Sequence, residues 1–463
     1  MLEKIYGKAH CMAKRILGKN VLDNHEMSFI SLTEECFENG RLKKSLIECV
    51  DQINYMDTRT KNSKTDFYPV ENVVSNRNKD FFPLSFDKKT NFSPQNCNNL
   101  KEAKCLWEKF IKEAQIPYGY KNEGLYYAGY IGEFHNWCLP SWIWTNAALV
   151  RYYCSIDNRY KATEIAEILL KKQEKCGGWI VRNDYERGVI VPELAPNDSA
   201  YIANNACLCM FRKYAEERYL KAAEKCAEWI MNTSREDGFV YLAYDMVKNK
   251  WIKDKNIVDT GFTAALFANL YDITKKEIYA NYLRKFIYKY CDLFYSIEKQ
   301  CFWTSIDAQD SPFGGKFARG QAWALEGLIP SYLVLRDEKL KKIIQNTINY
   351  LVENQNKNGG WAYNFEKPLM GQDCKGIPVI AASLLTWYRN VNQDDNILNS
   401  VYNAIDWCVK HTNKENLGRG GIFCYSLEGA IVHHLYTSTS FTYSCAYALE
   451  TLSSLEEINE NGR

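Results

Sequence analysis

The chain has 463 residues, and its 58 lysines and arginines nearly balance its 56 aspartates and glutamates, giving a formal net charge of +2. A chain of this length can bury a large core, either as one large domain or as two or three ordinary ones. The balanced charge excludes any electrostatic reason to expect a nucleic acid or a membrane surface as partner.

Residues 1–98 are predicted to form an N-terminal extension. Helical patterns cover residues 4–17 and 32–53 of it, whereas residues 57–98 are rich in turn-forming residues and show no sustained period. The next helical pattern runs from Leu100 to Ala114. We therefore expect an extension that is partly helical and then irregular, followed by a separate domain over residues 99–463.

From about residue 140 the sequence repeats a helical unit. Apolar helices, expected near residues 142, 198, 259, 319, 378 and 440, alternate with amphipathic helices and glycine-containing links. Asp198, Asp259 and Arg319 follow one another at spacings of 61 and 60 residues. Six apolar and five amphipathic helices leave a ring one helix short, and the helix at residues 100–114 supplies the twelfth. The pattern predicts an all-α (α/α)6 toroid; an open solenoid is the structural alternative, but its repeats run ~34–47 residues.

Three successive inner helices are expected to begin with a charged residue, namely Asp198, Asp259 and Arg319. A single aspartate at a helix start is most often an N-cap. Two such aspartates in register beside an arginine, at an end of the ring where helix N-termini gather, favour a binding or catalytic cluster. Confinement and mutual repulsion would raise the pKa of one carboxyl group, which predicts one general acid with an ionised partner.

Aromatic residues are abundant, with 32 tyrosines, 21 phenylalanines and 12 tryptophans. Twelve tryptophans suit either an aromatic core or a cleft that stacks on sugar rings, and composition does not separate the two. Trp323 follows Arg319 by one helical turn and offers a stacking face, while the guanidinium of Arg319 suits a carboxylate held by two hydrogen bonds.

The stretch QDSPFGGKFARGQAWALEGL, with Gln309 ten residues before Arg319, resembles the unsaturated glucuronyl hydrolases of glycoside hydrolase family 88. The stretch WIWTNAALV is similar to the aromatic and asparagine motif of that family's first inner helix, and the resemblance covers roughly residues 140–390. It implies that Asp259 is the general acid/base and Asp198 its supporting carboxylate. It also implies a substrate-binding set, with no metal and no cofactor: Arg319, Gln309, Trp323, Trp144, Trp142 and Asn146.

Two positions depart from the family pattern, since Asn197 and Ala308 stand where family members usually have histidine. The leading hypothesis is nevertheless a glycoside hydrolase that removes a terminal unsaturated uronic acid, or a related acidic sugar, from an oligosaccharide. The first alternative is a toroid polysaccharide lyase or sugar epimerase, with Tyr201 and Tyr443 as candidate bases. The second is a non-catalytic carbohydrate-binding homologue.

The cysteines and the N-terminus bear on the compartment. The 17 cysteines include no Cys-x-x-Cys pair, and many stand at apolar helical positions, where a free thiol acts as a small hydrophobic residue. A reducing cytoplasm is the simplest compartment for such a set. The N-terminus lacks the apolar run of a signal peptide, and no stretch approaches the ~20 apolar residues that span a bilayer. We expect a cytoplasmic protein.

Overall fold

A computed structural model describes residues 99–116, 124–131, 136–138, 143–183, 191–246, 249–366, 372, 374–412, 414, 420–422 and 439–461, and the backbone of residues 37–38 and 41–42. Within these ranges the α-helices are α1 (Leu100–Glu113), α2 (Ile143–Ser155), α3 (Arg159–Lys171), α4 (Pro196–Ile202), α5 (Cys209–Tyr214), α6 (Glu217–Thr233), α7 (Phe262–Thr274), α8 (Glu277–Phe294), α9 (Ala318–Leu335), α10 (Glu338–Glu353), α11 (Ile377–Asn390), α12 (Asp395–Lys410) and α13 (Thr442–Asn461). A π-helical segment (Ala203–Leu208) joins α4 to α5, and a 3₁₀ turn (Val258–Gly261) leads into α7.

The helices form a closed double ring. Inner helices α2, α4–α5, α7, α9, α11 and α13 each contact the next, and α13 returns to contact α2. Helices α3, α6, α8, α10 and α12 pack outside them, each against the inner helix before it, and α1 packs against α13. The chain is therefore an (α/α)6 toroid, and the helix at residues 100–114 closes the ring as predicted.

Short strands occupy the links that lead from an outer helix to the next inner helix. They are β1 (Phe37–Glu38), β2 (Arg41–Leu42), β3 (Gly129–Ile131), β4 (Asn136–Cys138), β5 (Ile180–Asn183), β6 (Val191–Leu194), β7 (Ala243–Asp245), β8 (Lys250–Ile252), β9 (Lys255–Ile257), β10 (Tyr295–Ser296), β11 (Cys301–Phe302), β12 (Ser305–Asp307), β13 (Pro312–Phe313) and β14 (Thr439–Phe441), of which β1 and β2 alone precede the ring. The links from inner to outer helices are short, and three of them turn on left-handed residues at equivalent positions, Ala215, Lys275 and Arg336. The long links thus all lie at the end of the ring where the inner helices begin.

The prediction of a helix over residues 32–53 is wrong at residues 37–38 and 41–42, the part of this range that the structure describes. Strands β1 and β2 pair there as an antiparallel hairpin, with Phe37 opposite Leu42. The two residues between them in the sequence are Asn39 and Gly40, the pair that a two-residue hairpin turn prefers. The other calls on residues 1–98, including the irregular segment 57–98, lie outside the described residues.

Several tryptophans belong to the core rather than to a cleft. Trp179 and Trp361, each following a Gly-Gly pair, are fully buried, and each indole N–H donates a 2.7 Å hydrogen bond to a backbone carbonyl ten residues earlier.

Two inner helices also meet at glycines: a Cβ added to Gly327 of α9 would lie 2.2 Å from the carbonyl oxygen of Gly261. No helix in the described ranges is long and apolar enough to cross a membrane.

Candidate active site

The predicted charged residues lie in the first turns of three adjacent inner helices. Asp198 is the third residue of α4, Asp259 is the second residue of the 3₁₀ turn before α7, and Arg319 is the second residue of α9. No side chain caps the start of any of these three segments. The aspartates therefore do not serve as the N-caps that an isolated helix start suggested.

The pKa of Asp259 is set by burial, which raises it, and by neighbouring polar groups, which lower it. Burial is the largest influence and raises the pKa of Asp259 to about 7. A hydrogen bond from the Asn197 amide, the charge of Arg319 and the backbone N–H groups of Asp259 and Thr260 act in the other direction. The Oδ1 atom of Asp259 is buried and accepts no hydrogen bond within the described part of the chain. This oxygen is free to carry a proton.

Asp198 is electrostatically coupled to Asp259. Burial, the charge of Asp259 and the charge of Glu193 together hold the pKa of Asp198 well above its usual range. Burial therefore outweighs the helix end at both carboxyl groups and favours the protonated form of each. The two groups titrate as one unit, because the charge on one sets the affinity of the other for a proton.

Sequence reasoning missed Glu193, although it stands only five residues before Asp198. Glu193 is buried on β6 and lies opposite Asp245 of β7 in the strand register. The alternating residues of the link before α4 could have indicated strand β6. The position of Glu193 near the ring end, however, depends on the pairing of β6 with β7, which the local sequence does not reveal. The side chain at Asn197, where the resembling family usually has histidine, donates to Asp259 and thereby takes part in the same group.

Arg319 is buried at the same end, with only 2 % of its surface exposed. Its guanidinium carbon lies 4.9 Å from the ring centre of Trp323 and 5.6 Å from that of Tyr363. Gly376, directly before α11, permits this arrangement, since a Cβ there would lie 2.8 Å from the Cβ of Arg319. The aromatic faces fix a guanidinium that would otherwise be costly to bury and flexible.

An arc of aromatic rings lines the inner helices one turn below the acids. Trp144 lies 6.1 Å from Tyr201, Tyr201 lies 4.7 Å from Phe262, and Phe262 lies 6.2 Å from Trp323, all between ring centres. Trp144 and Trp323 are both only half-buried. The structure thus places two of the predicted stacking residues one helical turn from the acids and Arg319.

Two predicted substrate-binding residues lie elsewhere. Asn146 is fully buried, and its amide accepts from the backbone N–H of Tyr126 at 2.8 Å and donates to the Tyr126 carbonyl at 3.2 Å, so it positions backbone and does not face a ligand. Gln309 is exposed in the turn after β12, next to Asp310, which bonds Arg235 beside the outer helices. Asp307, two residues before Gln309, pairs with Lys255, which is four residues before Asp259, so strand β12 leads this turn away from Asp259.

The remaining predicted stacking residue, Trp142, lies outside the described residues. Among the residues that are described, no group of three or more histidine, cysteine, aspartate or glutamate side chains is arranged to hold a metal ion. The groups that do meet are carboxyl groups, an amide, a guanidinium and indole faces. Chemically, these can donate and accept protons and bind an anionic group beside an aromatic face.

Comparisons with known proteins agree with the fold. Residues 263–424 match the family model of lanthionine synthetase C-like proteins, which is about a third of the chain. A search of curated proteins gives no significant match.

Solved structures resemble the chain at low sequence identity. An unsaturated glucuronyl hydrolase specific for heparin is 14% identical with a TM-score of 0.61, and the match covers 78% of this chain and 96% of that one. A cellobiose 2-epimerase from Bacillus thermoamylovorans is 13% identical with a TM-score of 0.60, covering 76% and 98%. A family 76 α-mannanase from Bacteroides thetaiotaomicron is 14% identical with a TM-score of 0.59, covering 78% and 98%. At this identity the likeness establishes the toroid and leaves the reaction open.

Proposed function

We propose that this protein is a carbohydrate-active enzyme that hydrates and thereby removes a terminal unsaturated uronic acid, or a related acidic sugar, from an oligosaccharide. The observation that carries the proposal is the buried carboxyl pair Asp198 and Asp259 beside Arg319. One member of this pair has its pKa raised to about 7, which suits a group that gives and takes a proton near neutral pH.

In the proposed reaction, protonated Asp259 donates its proton to C4 of the C4=C5 vinyl ether. A water molecule adds its oxygen to C5 and returns a proton to the Asp259 carboxylate, so the aspartic acid is regenerated and one water is consumed. The hemiketal then opens to a ketone at C5 and leaves a hemiacetal at C1. Collapse of the hemiacetal to an aldehyde breaks the glycosidic bond and releases the rest of the oligosaccharide as an alcohol. Neutral Asp198 supports this cycle by remaining a hydrogen-bond donor while Asp259 changes charge.

The other residues bind the sugar. The positive charge of Arg319 suits the substrate carboxylate, and its guanidinium is already fixed by Trp323 and Tyr363, so little side-chain entropy is lost on binding. The half-buried indoles of Trp144 and Trp323 supply faces on which a sugar ring can stack. None of these steps needs a cofactor.

A lyase or an epimerase on the same toroid is the second candidate, because an epimerase and a polysaccharide lyase are among the structures with this fold. A lyase abstracts a proton beside a carboxylate and needs a base. The hydroxyl of Tyr201 is hydrogen-bonded to that of Tyr447 at 2.8 Å, and burial raises the pKa of Tyr201, so the hydroxyl keeps its proton and the phenolate that a base requires does not form readily. The hydroxyl of Tyr443 points to the carbonyl of Lys375. These contacts favour the hydrolase.

Absorbance of the C4=C5 double bond separates the candidates. We expect the purified protein to consume that absorbance when given unsaturated glycosaminoglycan disaccharides, and mass spectrometry in ¹⁸O-labelled water should show one labelled oxygen in the released sugar. A lyase would create the absorbance from saturated polymer, and an epimerase would leave it unchanged while altering a saturated sugar. Binding on a glycan array with every ligand unaltered would indicate the non-catalytic homologue and refute the proposal.

A further inference from the structure

The carboxyl group of Asp259 and the guanidinium of Arg319 belong to separate segments of the chain, so their separation depends on what joins those segments. Asp259 lies in the 3₁₀ turn that opens at Val258, and Arg319 lies two residues after Phe317, which directly precedes α9. Thr304 stands between β11 and β12 and is only 2 % exposed. This residue contacts both segments.

Hydrogen bonds of Thr304 tie the two segments together. Its backbone carbonyl accepts from the N–H of Val258 at 2.9 Å, and its hydroxyl accepts from the N–H of Phe317 at 3.2 Å. Its own N–H donates to the carbonyl of Gly315 at 2.9 Å, which holds Thr304 against the strand that follows. The start of the 3₁₀ turn and the start of α9 are therefore attached to one buried residue.

Gln321 takes no part in the proposed reaction but secures the same link to α9. It is fully buried, and its side-chain amide accepts from the N–H of Phe302 at 2.7 Å and donates to the Phe302 carbonyl at 2.8 Å. The amide also donates to the carbonyl of Phe317 at 3.1 Å. Because Phe302 stands two residues before Thr304, these bonds fix the link, and with it the Thr304 hydroxyl, against the first turn of α9.

The 3₁₀ turn and α9 also pack in direct contact. A Cβ on Gly320 of α9 would lie 3.0 Å from a side-chain methyl group of Val258. The hydroxyl of Tyr290 on α8 donates to the Val258 carbonyl at 2.6 Å. Val258 is thus held at its carbonyl by α8 and at its N–H by Thr304. The Thr304 hydroxyl is the part of this arrangement that a substitution removes without changing a backbone group.

We propose that Thr304 is a positioning residue of the candidate active site, which sets the separation between the carboxyl group of Asp259 and the guanidinium of Arg319. It acts through the backbone of the two segments that carry these residues. Its effect on turnover rests on the proposed function, whereas the separation itself is a property of the folded chain alone.

The protonation of Asp259 reports this separation. The ionisable groups that act on Asp259 or respond to its charge are Asp198 from α4, Tyr290 from α8 and Arg319 from α9. Of these, Arg319 carries the positive charge that lowers the pKa of Asp259. A wider separation weakens that attraction and therefore raises the pKa of Asp259.

Urea unfolding of the full chain between about pH 4 and about pH 10 tests the proposal without a substrate. At each pH the stability gained by Asp259→Asn is measured in the wild type and in a Thr304→Val background, since valine keeps the volume and lacks the hydroxyl. In the wild type this gain should stop rising near pH 7, the pKa of Asp259 in the folded chain. We expect the plateau to begin at least ~0.5 pH unit higher in the Thr304→Val background.

Two controls and a second variant accompany this measurement. Thr304→Ser keeps the hydroxyl and should restore the wild-type plateau. Thr347→Val is the matched control, because Thr347 is also buried but its hydroxyl donates to the Ile343 carbonyl at 2.9 Å within outer helix α10, so the plateau should not move. Thr304→Ala also lacks the hydroxyl, is smaller, and replaces the valine variant where the latter does not fold.

A background without the charge of Arg319 tests whether Thr304 acts through that residue. In Arg319→Gln, the substitution Thr304→Val should leave the plateau unchanged, because the charge whose position Thr304 sets is absent. A plateau at the same pH in chains with and without the Thr304 hydroxyl would overturn the proposal. An upward shift that persists undiminished in Arg319→Gln would overturn it as well.

Hydrolysis of an unsaturated disaccharide separates failure of this proposal from failure of the proposed function. We expect Thr304→Val to lower kcat/KM by about 10–10²-fold and to move its alkaline fall to higher pH by as much as the plateau moves. An inactive wild type with a shifted plateau would refute the proposed function and support the role of Thr304. An active wild type whose plateau and alkaline fall do not respond to Thr304→Val would do the reverse.

Discussion

Replacing Asp259 by asparagine should lower activity by orders of magnitude and at the same time stabilise the protein at alkaline pH. Burial moves the pKa of Asp259 from 3.8 to about 7, a change of about three units, or about 4 kcal/mol. Between about pH 4 and pH 7 the folded protein holds a proton that the unfolded chain has released, so this group lowers stability as the pH rises through that window. Above pH 7 the ionised carboxylate costs up to about 4 kcal/mol, and asparagine removes that cost.

Two assays of the Asp259→Asn variant test the reasoning together. Urea unfolding at pH 8 should show the variant to be more stable than the wild type, and the difference should shrink toward zero near pH 4. Hydrolysis of an unsaturated disaccharide should fall by about 10²–10⁴-fold, the usual contribution of a general acid or base. Asp395→Asn, at an exposed first-turn aspartate of the outer helix α12, is the control and should change neither quantity much.

The two outcomes can fail separately. A variant that is folded and fully active would remove Asp259 from the mechanism, although its stability profile could still show that the carboxyl group is buried. A variant that is less stable than the wild type at pH 8 would show that Asp259 acts as an ordinary helix-start residue, and that the electrostatic account of the site is wrong.

Three further substitutions and one pH profile test the same geometry. Asp198→Asn should cost less activity in disaccharide hydrolysis than Asp259→Asn, because asparagine keeps the neutral, hydrogen-bonding form of the residue. Arg319→Lys should raise KM more than it lowers kcat in steady-state kinetics, since lysine keeps the charge and loses the planar fork. Wild-type kcat/KM should fall as the pH rises above about 7, where Asp259 loses the proton that it donates. Gly327→Ala should destabilise the protein by about 1–3 kcal/mol in urea unfolding, because its Cβ would lie 2.2 Å from the Gly261 carbonyl oxygen.

The ring and its acidic end could be predicted because they depend on periodic features. A spacing of about sixty residues between Asp198, Asp259 and Arg319 is a property of the repeat, and each residue lies within the first turn of its helix. The exact helix starts were displaced by one or two residues, because Pro196 begins α4 and Val258 opens a 3₁₀ turn. These displacements did not change the end of the ring at which the residues gather.

The errors occurred where the chain leaves the helical period. Gln309 was assigned to the site by its distance from Arg319 along the sequence, but strand pairing carries its turn outward. Asn146 was assigned by likeness to a motif, and its amide is used to hold the backbone of Tyr126 instead. Glu193 was missed because the partner that directs its strand, Asp245, is more than fifty residues away along the chain. Such pairings are tertiary and leave little local signal.

The ionisation of Asp259 depends on opposing free-energy contributions whose sizes can be compared. A helix N-terminus stabilises an anion by about 0.3–1 kcal/mol, and by up to ~2 kcal/mol in favourable buried geometry. Arg319, Asn197 and two backbone N–H groups add to that stabilisation at Asp259, yet its pKa still lies about three units above 3.8. Burial therefore opposes ionisation by more than all these groups combined. The same groups remain in place when Asp259 has given up its proton, so they stabilise the carboxylate that forms. A site balanced in this way holds the acid and its conjugate base at similar free energies near neutral pH, which is the condition under which one aspartate can both donate a proton and recover it within a single turnover.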